Sequence, residues 1–193
     1  RLGEKYMDLS DYYRATEVFH GVLDNYPKFE FKSETLSNLG KIYFELDSLD
    51  RALSLYERLN KQGSSREKRR EGLLGMARTK SRMGRHDEAL ALYQRALDEA
   101  RYGDERAEAW VGVYVEYTFM DRSKEAKEGF ERIVEDFPKT DYSAAAWYEL
   151  GLMFKGFKEN AEMDSIRCDS VSLAVFRLDS LRIRPLKALS QDL

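Results

Sequence analysis

One cysteine, two histidines and three prolines in 193 residues close off several classes of protein at once. Cys168 cannot form an internal disulfide, and with so few Cys and His there is no cluster spaced to hold zinc. His20 and His86 stand far apart without a neighbouring cysteine or paired acid, so both read as surface residues rather than ligands or catalytic bases. Glycine is scarce, at twelve, and no glycine-rich phosphate loop, dinucleotide fingerprint or metalloprotease motif is present. No apolar run approaches the ~18–20 residues of a membrane span. The net charge of −3 and the sequence pI near 5.6 lack the basic excess of a general nucleic-acid binder. No catalytic residue, metal site or cofactor is expected.

What the chain does have is helix-forming composition and a period. Charged residues make up 35% and apolar residues 42%, enough for a core. Glu, Lys, Arg, Ala and Leu predominate, which favours helices. Four segments place a small residue four positions before an aromatic: Ala15/Phe19, Ala52/Tyr56, Ala89/Tyr93 and Ala126/Phe130. The alanines step by a constant 37. In the same register stand Gly3, Gly40, Ala77 and Tyr114, then Tyr6, Tyr43, Lys80 and Tyr117. Trp110 and Trp147 are one period apart, and Pro27 and Pro138 three. A fixed period of this length marks a repeat architecture.

Each repeat reads as two amphipathic helices. Leu36, Leu39, Ile42, Tyr43 and Leu46 form one apolar stripe. Asp47 and Ser48 break it with turn and N-cap chemistry, Ala52, Leu55, Tyr56 and Leu59 form the next stripe, and Gly63 stops it. Neither helix can cover its stripe alone, so neighbours must stack. Small residues such as Ala144, Ala145 and Gly151 are expected to admit close helix approach beside Trp147, Leu150 and Phe154. Asp87-Glu88 and Asp104-Glu105 are expected at helix starts, where acids meet the positive dipole end.

The pattern resembles the tetratricopeptide repeat over roughly residues 1–157. Its first-helix signature stands as Leu2-Gly3…Tyr6, Leu39-Gly40…Tyr43 and Leu150-Gly151…Phe154. The Ala…aromatic pairs carry the second helix, and Pro27 and Pro138 close their repeats. Lys80 stands where an aromatic is expected, and Tyr114 where a small residue is. The resemblance implies an all-α, right-handed superhelical solenoid of about five helix pairs. Its repeats fall around 1–32, 33–69, 70–106 and 107–143, with the first helix of a fifth at 144–157. Residues 158–193 are expected to form an irregular fifth unit, with an insertion at Lys158–Ser172 and a C-terminal helix in which Ala174 and Leu178 recover the register. A strand over "SVSLAVFRL" is the rival reading there. The first helix starts part-way through its repeat, as in a fragment or processed chain. The 37-residue spacing, with Phe-Pro or Tyr-Pro before a helix, is similar to repeats of bacterial cell-envelope proteins. That similarity favours a periplasmic or envelope-associated location, with a cytoplasmic one as the alternative.

Such arrays expose the non-core face of each first helix as a concave groove. The resemblance places Asn38, Lys41 and Phe44 there, then Arg78, Ser81 and Arg82, then Val111, Val115 and Phe119, and finally Tyr148 and Leu152. Residues 61–85 carry nine Lys/Arg against two Glu, whereas 86–136 carry fourteen acids against seven bases. One half of the groove is therefore expected to be cationic and the other apolar, suiting a protein segment with an acidic stretch and hydrophobic anchors. Two offsetting solvated surfaces are the plainer account of the same charges. A Lys/Asn carboxylate clamp is not reproduced, because Glu71 and Gly75 occupy two of its places. The implied function is a non-catalytic protein-interaction scaffold. The alternative is a regulatory repeat segment of a larger signalling or catalytic protein, and nucleic-acid binding through Lys61–Arg85 ranks last.

Overall fold

The computed structural model describes residues 1–26 and 31–156. The expectation for 158–193 lies outside the described residues, as do Pro27 and Cys168. Among the described residues there are nine α-helices and no strand. They are α1 (Leu2–Asp8), α2 (Tyr12–Asn25), α3 (Lys32–Glu45), α4 (Leu49–Gln62), α5 (Arg66–Arg82), α6 (His86–Asp98), α7 (Gly103–Phe119), α8 (Ser123–Asp136) and α9 (Asp141–Gly156). The chain divides into two compact lobes, an N-terminal one of Arg1–Glu99 and a C-terminal one beginning at Ala100. In the first, each helix from α1 to α6 packs on the next and α3 also meets α5. In the second, α7, α8 and α9 all touch one another.

The links inside the helix pairs repeat as strictly as the helices. Ser10, Asp47, Gly84 and Asp121, each 37 residues after the last, adopt left-handed φ values of 57°, 56°, 74° and 58°. In every case the following N–H returns to the carbonyl five residues back. Asp11 bonds Tyr6, Ser48 bonds Tyr43, Arg85 bonds Lys80 and Arg122 bonds Tyr117, all at 2.8–2.9 Å. This is a Schellman closure, which satisfies carbonyls the ending helix leaves open. Ser48 precedes α4 as expected, but its side chain makes no capping bond. Capping comes instead from Asp11, which accepts from the Arg14 N–H, and from Ser65, which accepts from Lys68. Asp87-Glu88 and Asp104-Glu105 do lie in first turns.

The core is built from the small-to-large columns. Tyr56 of α4 is buried between two glycines of different helices. A Cβ on Gly40 of α3 would sit 2.8 Å from its ring, and one on Gly75 of α5 would collide with the same ring more closely still. Gly72 lets backbone meet backbone: a Cβ there would fall 2.8 Å from the Tyr56 carbonyl oxygen and 2.9 Å from the Asn60 Cα. Gly63 follows α4, but its φ of −58° is ordinary. Its lack of a side chain matters because a Cβ would press 2.7 Å from the Leu59 carbonyl oxygen. Gly151 differs from expectation, since a Cβ there meets nothing within 4 Å among the described residues. Around it, Ala145, Ala146 and Leu150 are buried, while Ala144 and Trp147 are half-buried.

Both departures from the repeat pattern are compensated. Tyr114 stands in the small column, and Gly129 of α8 stands where Leu55 and Leu92 stand in earlier repeats; a Cβ on Gly129 would collide with the Tyr114 ring. Large and small have changed sides of one contact. Trp110 stacks on Tyr114 at 5.2 Å, and the fully buried Phe130 meets it edge-on at 5.8 Å. In the aromatic column, Arg14 lies over Tyr6 at 5.8 Å and Arg51 over Tyr43 at 5.4 Å. Where the third repeat has Lys80, the arginine's place is taken by Glu88, and the two form an ion pair at 3.1 Å. Exchanging both partners keeps the contact attractive. His20 is no idle surface residue: it is half-buried and shares a 2.9 Å hydrogen bond with the Tyr43 hydroxyl.

Candidate functional site

The first helices of the pairs in the N-terminal lobe that bear candidate residues are α3 and α5. Asn38 is half-buried on α3, and Ser81 is half-buried on α5. Lys41 is exposed but committed, its ammonium 2.7 Å from Glu71. Arg82 is committed as well, with its guanidinium 3.1 Å from Asp47 and 4.8 Å over the ring of Phe44. Arg78 is exposed on α5, and its charge is felt by Tyr56, whose hydroxyl burial pushes up to about 12.

Glu71 organises this face. It accepts a short hydrogen bond from the Ser37 hydroxyl and pairs with Lys41, while Lys68 reaches it at 2.9 Å and lies 3.9 Å from Glu34. Burial opposes its ionisation, but the bonds from Lys41 and Ser37, the Lys41 charge and Lys68 outweigh burial and hold the carboxyl down at about 2. Two groove cations expected to await an acidic partner therefore already have acids of their own. The same holds along the basic band: Lys80 and Arg85 pair with Glu88, and Arg69 donates to the Gly63 carbonyl. The offsetting-surfaces account describes this band better than a cationic binding surface. Sequence reading missed Glu71 and Asp47 as counter-charges, although their repeat positions beside Lys41 and Arg82 carried the signal.

In the C-terminal lobe the corresponding helices are α7 and α9. Val111 is only 8% exposed and belongs to the core, so it offers little contact surface. Val115 and Tyr148 are half-buried, whereas Phe119 and Leu152 are 41% and 40% exposed. Helical spacing puts Val115 and Phe119 on one face of α7, and Tyr148 and Leu152 on one face of α9. Between the latter two sits Glu149, which composition alone did not single out. Burial pushes its carboxyl up to about 7, and no counter-charge acts on it among the described residues. It in turn raises the Tyr148 hydroxyl, after burial has done so. Among the described residues no group of three metal-ligating side chains occurs, and no helix is long and apolar enough to cross a membrane.

Residues 72–108 match the family model described as tetratricopeptide repeat. No curated protein matches the sequence. Among solved structures, one titled as the crystal structure of MamA superposes with a TM-score of 0.60 at 18% identity, covering 94% of this chain and 96% of that one. The nearly identical TPR-like repeats of a putative kinesin light chain from Podosopora anserina give 0.64 at 16% identity, covering 95% and 94%. A tetratricopeptide repeat protein from Parabacteroides merdae gives 0.59 at 21% identity, covering 94% of this chain and 64% of that one. These likenesses are of fold. With the 37-residue columns and the repeated Schellman turns, they give the described residues the fold of an all-α repeat of the solenoid class, in which residues 72–108 match a tetratricopeptide repeat.

Proposed function

We propose that the chain is a non-catalytic protein-interaction scaffold that holds a segment of a partner protein against the first helices of its pairs. The observation that carries this reading is the exposed apolar side of α7 and α9, where Phe119 and Leu152 stay about two-fifths accessible beside half-buried Val115 and Tyr148. Other large apolar residues are more exposed, among them Leu9, Tyr26, Leu46 and Tyr102, but these flank helix ends, whereas Phe119 and Leu152 each lie one turn from a second apolar residue on the same helix face. The acidic stretch expected of the partner is not carried forward, because Glu71 and Asp47 already occupy Lys41 and Arg82. An envelope-associated setting in a bacterium belongs to the same proposal, supported by the spacing of the repeats, and fractionation of the native host tests it.

Site-specific photocrosslinking tests the scaffold itself. A benzophenone side chain at Leu152 should capture a defined protein in the native host, whereas the same probe at Arg58, exposed on the second helix α4, should not. Identical captures at both sites, or none at Leu152, would contradict the reading.

A further inference from the structure

In each complete helix pair the second helix sets a large side chain on a fixed place of the first. A Cβ on Gly3 would sit 2.6 Å from the Phe19 ring, and one on Gly40 would sit 2.8 Å from that of Tyr56. Tyr114 meets Phe130 in the same column, ring on ring at 5.8 Å. Gly151 continues that column on α9. This helix packs on α7 and α8, with Ser143, Ala146 and Leu150 buried. Trp147 and Gly151 share the neighbouring face by helical spacing and are half-buried. A Cβ on Gly151 would meet nothing within 4 Å among the described residues. The repeat thus calls for a large apolar side chain on this face, brought by a second helix.

In strict register the side chain due there is Arg167, sixteen places after Gly151 as Phe19 follows Gly3, and its charge does not suit the place. Eleven residues later the sequence supplies what is needed. Ala174, Leu178 and Leu181 repeat the spacing of Ala52, Tyr56 and Leu59, which are all buried on α4. We infer that residues 171–184 of the chain itself pack on α9 as the second helix of the fifth pair, with Leu178 set against Gly151. Residues 157–170 can span up to ~45 Å, about twice the ~24 Å length of α9, so the link permits the return. A segment tethered so closely reaches the face at high effective concentration, which disfavours a second copy or a foreign helix there. Tyr148 and Leu152 lie further round α9, so this packing leaves their side to the partner of the scaffold reading.

Thiol crosslinking of the full chain provides the test. Cys168→Ser removes the only native thiol, and Gly151→Cys is then paired with Leu178→Cys or, as the control two places further on, with Ser180→Cys. After circular dichroism has shown the variants folded, a short methanethiosulfonate crosslinker is added and the linked peptides are read by mass spectrometry. The Leu178 pair should link within one molecule severalfold faster than the Ser180 pair, which a second helix would turn to its opposite face. Gly151→Leu gives an independent readout. Overpacking against Leu178 should lower the melting temperature by about 4 °C, whereas on an open helix face better helix propensity would raise it. Equal linking by the two pairs, links that join only separate molecules, or a melting temperature raised by Gly151→Leu would each overturn the packing of residues 171–184 on α9. None of these results bears on capture of a partner at Leu152, so the scaffold reading stands or falls separately.

Discussion

Replacing Gly72 by alanine adds one methyl group at the point where α4 and α5 come closest. The new Cβ would meet the Asn60 amide nitrogen, the Tyr56 carbonyl oxygen at 2.8 Å and the Asn60 Cα at 2.9 Å. All three are backbone atoms of a helix, so no rotamer change relieves the collision and the helices must separate. Overpacking of this kind costs ~1–3 kcal/mol, and a backbone clash belongs at the upper end. Alanine's better helix propensity returns ~1 kcal/mol, leaving a net loss of about 2 kcal/mol. For a chain of this size that lowers the melting temperature by ~4–8 °C. Gly21→Ala is the matched control, because its Cβ would meet nothing within 4 Å and only the gain of ~1 kcal/mol remains. Urea unfolding followed by circular dichroism measures both, and hydrogen exchange locates the loss on α4 and α5. A Gly72→Ala protein as stable as wild type would refute the close-approach argument.

Other consequences follow from the charges and turns. Glu149 has a folded pKa of about 7 against an ordinary 4.5, so both states are protonated at low pH and the folded state alone resists ionisation as pH rises. The cost therefore grows between pH 4.5 and 7, and Glu149→Gln should stabilise the protein by up to about 3 kcal/mol at pH 8 but little at pH 4, as read by melting temperature across that range. Glu71 has the opposite sign: its folded pKa of about 2 lies below the ordinary 4.5, so its contribution is complete above that value and fades as pH falls towards 2. Partial exposure reduces it to ~1–2 kcal/mol, and acid titrations of wild type and Glu71→Gln should converge at the bottom of that window. Asp121→Gly should stabilise by ~1 kcal/mol in urea unfolding, because a left-handed φ burdens every residue with a Cβ. Lys80→Tyr and Glu88→Arg, combined to reproduce the Tyr43 and Arg51 pairing, should show a favourable coupling of ~0.5–1 kcal/mol in a double-mutant cycle.

Most of the helical architecture was legible in the sequence because burial acts on side-chain type and the repeat fixes which side chains recur. Ala52 and Tyr56, Ala126 and Phe130 are buried where their columns required. The compensations were legible only in pairs. Tyr114 alone contradicts its column, and Gly129 alone looks incidental, yet one explains the other across the α7–α8 contact. The groove was harder to read for a related reason. A count of cations along residues 61–85 does not say which charges face one another: Arg82 meets Asp47 from the preceding helix pair, and Glu71 within the band meets Lys41 of α3. Ionisation is similarly silent in sequence: Glu71 and Glu149 are the same residue type, and only their surroundings move one carboxyl to about 2 and the other to about 7. Val111 shows the limit of helical spacing, which gives a direction but not how closely the next helix approaches.

The claim beneath the whole account is that each helix pair is closed by one large ring set against one small residue, whichever helix supplies which. Exchanging the two sides of the Tyr114–Gly129 contact tests it directly, with Tyr114→Ala and Gly129→Leu matching the Ala77 and Leu92 of the preceding repeat. Thermal unfolding should show each single variant destabilised by ~2–4 kcal/mol, one through a cavity and the other through a clash, and the double variant recovering most of the loss. Losses that simply add in the double variant would contradict it.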